Sequence, residues 1–145
     1  MDVPIKKLDP RAVLPHYGSP AAAGADLYAV ADAPVEIPAG ETVLIHTGLS
    51  LAIPGGFAGL IFARSSLGAK RHLAPANKVG VIDSDYRGEV MVALHNHGKT
   101  PQTVEPGERI AQLLIMPVMQ AAFIESDTLS DTVRGEGGFG STGRT

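Results

Sequence analysis

The 145-residue chain contains no cysteine, which removes disulfides, Fe–S clusters, zinc fingers and thiol nucleophiles from consideration together. Long apolar runs are missing too, and none approaches the ~18 residues needed to cross a bilayer. The opening Met1-Asp2-Val3-Pro4-Ile5-Lys6-Lys7 lacks the apolar core of a secretory signal. Basic residues are few: Lys plus Arg number 12 against 15 Asp plus Glu, for a net charge of −3. A nucleic-acid binder needs several cations gathered on one face to displace counterions. The one local cluster here, Lys70-Arg71-His72, has no interleaved aromatics. These absences lead us to expect a soluble cytoplasmic protein with neither nucleic acid nor membrane as partner. A small anionic ligand needs only a few well-placed cations, so it stays open.

Glycine and proline, by contrast, are plentiful, at 17 and 11 residues, against an ordinary share of about 12% of a chain. They cut the sequence into short β-branched or apolar runs bounded by turns. Strands are expected at Ile5–Leu8, Val35–Ile37, Thr42–Ile53, Phe57–Ala63, Val79–Ile82, Glu89–Asn96, Gln102–Val104 and Arg109–Met119. Along Glu89–Asn96 neither alternating set is strongly polar, which is compatible with cover on both faces. The phrases Pro38-Ala39-Gly40-Glu41 and Pro106-Gly107-Glu108 read as one turn device used twice, with proline presetting φ and glycine taking the left-handed position. Helix is scarce, with one short helix expected at Ser65–Arg71 under a serine cap. The pattern is that of an all-β sandwich or barrel, with a core domain over residues 1–124. Residues 125–145 read as a C-terminal arm, whose stretch 134–144 holds five glycines and no strand pattern.

Three polar clusters carry chemistry. Arg64-Ser65-Ser66 opens the helical turn, where a guanidinium and two hydroxyls could hold phosphate; a capped helix with a surface arginine is the plainer reading. Residues 80–89, Gly-Val-Ile-Asp-Ser-Asp-Tyr-Arg-Gly-Glu, lie between two apolar runs and read as a hairpin. Its Asp83 suits a general base for water, and an Asp-rich turn is the plainer alternative. Calcium is disfavoured, because Arg87 stands at a ligand position and Leu94 where a bidentate glutamate belongs. The glycine-rich arm offers free N–H groups to phosphate, or is simply disordered. His95 and His97 share a strand face without a third ligand.

Five blocks then appear in the order of a known family. They are Ala23-Gly24-Ala25-Asp26-Leu27, Arg64-Ser65-Ser66-Leu67-Gly68, residues 80–88, Gly107-Glu108-Arg109-Ile110-Ala111-Gln112-Leu113, and residues 134–143. On these the chain resembles the trimeric dUTPases. The resemblance implies a jelly-roll-like subunit with one short helix and a flexible arm. It implies a homotrimer with shared sites, in which each arm closes over a neighbour's site. The reaction implied is hydrolysis of dUTP to dUMP and pyrophosphate by water attack at the α-phosphorus, with Mg²⁺ as cofactor. That activity limits uracil in DNA and supplies dUMP for thymidylate synthesis.

Carried onto this chain, Asp83 would activate the water. Asn77, Gly80, Val81 and Ile82 would read the uracil edge, Tyr86 would pack under the deoxyribose, and Phe139 would stack on uracil. Arg64, Ser65, Ser66 and Gln112 would contact phosphates, and Arg134, Ser141 and Thr142 would clamp the γ-phosphate. Asp26 would hold Mg²⁺ through water, the triphosphate supplying the direct ligands. Two positions depart from the commoner pattern: Ala63-Arg64-Ser65-Ser66 stands for Pro-Arg-Ser-Gly, and Ala76-Asn77 for Gly-Asn. The competing expectations are a dCTP deaminase-like enzyme and a deoxynucleotide-binding trimer without turnover.

Overall fold

The computed structural model describes residues 1–138. It holds twelve short strands and one helix. In chain order these are β1 (Ile5–Lys7), β2 (His16–Tyr17), β3 (Ala25–Tyr28), β4 (Val35–Ile37), β5 (Thr42–His46), β6 (Leu49–Leu51), β7 (Phe57–Phe62), α1 (Ser65–Arg71), β8 (Leu73–Pro75), β9 (Gly80–Ile82), β10 (Met91–Asn96), β11 (Gln102–Val104) and β12 (Arg109–Pro117). A five-stranded sheet runs β2-β3-β12-β7-β9, and a three-stranded one runs β5-β10-β8. Two ribbons, β1-β6 and β11-β4, complete the all-β, jelly-roll-like unit. All described pairings are antiparallel. Among the described residues no helix is long and apolar enough to cross a membrane.

The core lies between the sheets. Leu27, Ile37, Ile45, Leu49, Leu73, Leu94 and Ile110 are its largest fully buried members. Strand β10 shows how the alternation is used: Val92, Leu94 and Asn96 are buried while Met91, Ala93 and His95 are half-exposed. The expectation of equal cover on both faces is therefore corrected to one buried face. Asn96, a polar residue in the apolar layer, spends its whole amide on backbone. Its Nδ2 donates to the carbonyls of Ile37 and Thr100, and its Oδ1 accepts from Gly98 N–H, which avoids the cost of an unpaired buried group.

Turns follow the glycines. Gly40 and Gly107 both sit at φ +77°, in turns closed by Glu41 N–H to Pro38 O and Glu108 N–H to Glu105 O. The device is shared as expected, except that proline precedes the first turn's central pair and lies inside the second. The expected strand Thr42–Ile53 is cut in two, because Gly48 turns at φ +66° between β5 and β6. Strands β2, β3 and β8 are too short for a periodic signal and were not expected. Past Pro117, the described residues form neither helix nor strand.

Candidate active site

Strand pairing gathers the first group of polar residues. Asp26, Gln112 and Phe62 are register partners across β3, β12 and β7, so they form one lateral row. The Asp26 carboxylate accepts from Arg64 Nε at 2.8 Å and from Arg109 Nη1 at 3.1 Å. Gln112 donates Nε2–H to Ala63 O at 2.9 Å, which fixes its amide beside the same arginine. A Cβ at Gly24 would lie 2.8 Å from Gln112 Oε1, so the glycine of the first block makes room for the glutamine of the fourth. Arg64 Nη1 also reaches Ser66 Oγ at 3.3 Å, while Ser65 is exposed at the start of α1.

Two expectations about this end of the molecule change. The cap of α1 is Arg64 in extended conformation, with no side-chain cap bond, so no serine caps the helix. Its hydroxyls are thereby left for other partners. Ser66 has helical backbone, and only His72 and Lys78 are non-glycine residues at positive φ. Serine at 66 and alanine at 76 thus cost nothing in backbone strain.

Arg109 belongs to this group and was not singled out from the sequence. In a regular strand residues 109 and 112 face opposite ways. A bulge between Arg109 and Ala111 resets the alternation and brings both to one side.

The second group surrounds residues 83–90. This segment is not a hairpin, because β9 pairs with β7 while β10 pairs with β5 and β8. It is a crossover between sheets, tied down by side chains. Tyr86 OH donates to Glu89 O at 2.9 Å, and Ser50 Oγ donates to Arg87 O at 2.7 Å. Glu89 accepts from Gly48 N–H through Oε1 and meets His46 Nδ1 through Oε2, at 2.8 and 2.9 Å. Val81, Ile82, Asp83 and Tyr86 line one cavity of about 210 Å³ with Leu44, Glu89 and Met91. Asn77 lies in the turn leading into β9, its Nδ2 close to the open side of Gly80. The Asp83 side chain is exposed and takes part in no ion pair among the described residues.

The two groups stand apart within one chain. Ile82 pairs with Gly59 and Gln112 with Phe62, so Asp83 falls level with Ala58. Four residues of β7 separate the two groups, about 13 Å along a strand, and they also lie two strands apart. Arg134 is in neither group. It is exposed and donates Nε–H to Gly137 O. Phe139, Ser141 and Thr142 lie outside the described residues.

Among the described residues no three His, Asp or Glu side chains are placed to hold a metal ion. His95 and His97 stack edge to face at 4.3 Å, with His95 Nδ1 bonded to Thr42 Oγ1. Partial burial and the neighbouring Lys78, His95 and His72 hold the His97 imidazole below the ordinary histidine range.

Residues 11–143 match the family model described as dUTPase. The chain is 48% identical over 149 aligned residues to the deoxyuridine 5'-triphosphate nucleotidohydrolase of Acinetobacter baumannii, covering 99% of each. It is 50% identical over 132 residues to that of Aeromonas salmonicida, covering 90% of this chain and 87% of the relative. The fold superimposes on a Staphylococcus bacteriophage 80alpha dUTPase solved with dUPNHPP, with a TM-score of 0.89, 27% identity and 98% coverage of both chains. It also superimposes on the dUTPase of phage phi11 of S. aureus, which coordinates a structural Mg(II) ion. There the TM-score is 0.81 and identity 21%, over 90% of this chain and all of that one.

Proposed function

The chain belongs to the dUTPase family and hydrolyses dUTP to dUMP and pyrophosphate, and from that premise we propose how its residues divide the work. Asp83 orients a water and takes its proton as the oxygen attacks the α-phosphorus, which releases pyrophosphate. Asn77 and the backbone of Gly80, Val81 and Ile82 hydrogen-bond the uracil edge. Their close fit rejects thymine's methyl by clash and cytosine by its reversed donor and acceptor order. Tyr86 packs against the deoxyribose. Arg64, Ser65, Ser66 and Gln112 hold the phosphates. Arg134, Ser141 and Thr142 clamp the γ-phosphate, and Phe139 stacks on the base as the arm of residues 125–145 closes over the core of residues 1–124.

The observation that carries this reading is the grouping of Val81, Ile82, Asp83 and Tyr86 around one cavity. The distance from Asp83 to Arg64 and Gln112 supports the rest: a single chain does not present both groups to one nucleotide. We therefore assign the working form as a homotrimer, with Asp83 of one chain facing Arg64 and Gln112 of another and the arm arriving from a third. The enzyme works in the cytoplasm without a nucleic-acid partner, as its few, scattered cations suggest.

Asp26 fits an outer-shell contact to Mg²⁺. Its side chain is 13% exposed and each oxygen already accepts one guanidinium bond. Lone pairs remain for a water of the ion's hydration shell, while two adjacent arginines disfavour a bare cation. When bound with the triphosphate, Mg²⁺ supplies neutralising charge and fixes the phosphate chain. Arg64 and Arg109 meet the remaining phosphate charge.

Purified protein incubated with Mg²⁺ and, separately, dUTP, dCTP, dTTP and UTP tests the assignment. Monophosphate and pyrophosphate from dUTP alone is the expected result. A deaminated product from dCTP, or tight dUTP binding without pyrophosphate release, would overturn it.

A further inference from the structure

The crossover that carries Asp83 contains a glycine whose requirement is not conformational. Gly88 is not among the glycines at positive φ. What matters is the absent side chain. A Cβ at position 88 would stand 2.4 Å from the Tyr86 hydroxyl oxygen, 2.5 Å from its Cζ and 2.9 Å from its Cε2. The outer edge of the tyrosine ring occupies the space that any other residue would fill.

We infer that Gly88 is a positioning residue that seats Tyr86 and, through that ring, sets the preference for deoxyribose over ribose. The inference rests on the reading above in which Tyr86 packs against the sugar. Its structural part follows from what holds the ring on its two sides. The tip is fixed by the 2.9 Å bond to Glu89 O, and the flank lies against the bare Cα of Gly88. The main chain on either side of Gly88 is held in place. Arg87 O accepts from Ser50, Glu89 is held by Gly48 N–H and His46, and Val90 N–H donates to Leu49 O at 2.8 Å. Thr47 Oγ1 donates to Val90 O on the buried side. With the backbone pinned at 87, 89 and 90, an added methyl displaces the ring.

The size of the displacement follows from the contacts. An ordinary Cβ contact begins near 3.4 Å, so the hydroxyl must recede by about 1 Å. A shift of that size takes the bond to Glu89 O out of good range. It also reshapes the wall of a cavity of only about 210 Å³. Misplacement by about 1 Å is enough to cost up to 10²-fold in rate. A ring that excludes a 2′-hydroxyl by close fit loses that discrimination when it moves.

The test compares kcat/KM for dUTP and UTP in the wild type, Gly88→Ala, Tyr86→Ala and the double variant. Gly88→Ala is expected to lower the dUTP-to-UTP ratio about tenfold or more. In the double variant the ratio should fall no further than in Tyr86→Ala, because the methyl has no ring left to move. Its thermal midpoint should also recover relative to Gly88→Ala, which covers the case in which the single variant folds poorly. Wild-type selectivity in Gly88→Ala, additive losses in the double variant, or a double variant as unstable as the single one would each overturn the proposal. If Tyr86→Ala itself kept wild-type selectivity, the reading of Tyr86 would fall first, and that result is distinguishable from failure of the Gly88 inference alone.

Discussion

Two aspartates in this chain sit in opposite electrostatic settings, and the contrast separates their roles. Asp26 is nearly buried and shares its charge between Arg64 and Arg109. A carboxylate so engaged is a poor base, because both guanidinium bonds favour its charged form. Asp83 is exposed on a crossover, beside the cavity that Tyr86 walls, with no ion pair among the described residues. It is free to bond a water. Asp83→Asn keeps the shape and removes the basicity, so kcat for dUTP should fall by about 10²–10⁴-fold. The Kd for a non-hydrolysable dUTP analogue, measured by calorimetry, should stay within about threefold. Near-normal turnover would remove Asp83 from its role, and lost binding would make it a substrate contact instead. Asp83 was legible in the sequence because its neighbours Gly80 to Gly88 form a contiguous block. Arg109 was not, because its approach to Gln112 depends on a one-residue bulge that alternation cannot foresee.

At the scale of elements, β4 and β11 fall where the apolar runs place them, and most other expected strands lie within a few residues. The failures share a cause: partner choice is a long-range property. Residues 80–96 look like a hairpin, with two apolar runs around a polar turn, yet β9 and β10 join different sheets. The expected strand Thr42–Ile53 breaks at Gly48, where a Cβ would meet Ala12 and Asp9 at 3.0 Å. These two facts belong together, since the turn at residues 46–50 is what holds the crossover. Thr47 is wholly buried and donates Oγ1–H to Val90 O. Thr47→Val retains shape and leaves a buried carbonyl without that donor. The expected loss is about 1–3 kcal/mol of stability, read by denaturant unfolding at one fixed protein concentration. Thr47→Ser keeps the hydroxyl and should lose less, by the difference of one buried methyl. Equal losses in the two variants would show that packing, not the hydrogen bond, carries Thr47's contribution.

The whole molecule poses a question that no single chain answers. Its phosphate-binding group and its water-activating group lie about 13 Å apart along β7 and two strands apart across the sheet. Nothing in one sequence reports that separation, because the order of blocks along the chain is silent on which copies meet. A shared site makes a quantitative prediction. Asp83→Ala removes one group and Arg64→Ala removes the other, so each variant alone is inactive. When the two are denatured together and refolded as mixed trimers, some sites pair the intact Asp83 of one chain with the intact Arg64 of another. With random assembly from equal amounts, about a quarter of the sites recover both groups. Activity should therefore rise from background toward about a quarter of the wild-type value, and only after co-refolding. If each site were built within one chain, mixing would restore nothing, since every chain would carry one broken group. Size-exclusion chromatography with light scattering on the same samples separates that outcome from failed assembly. A trimeric mixture that stays inactive would place Asp83 and Arg64 in one subunit's site, and a rearrangement of the crossover would then have to bring them together.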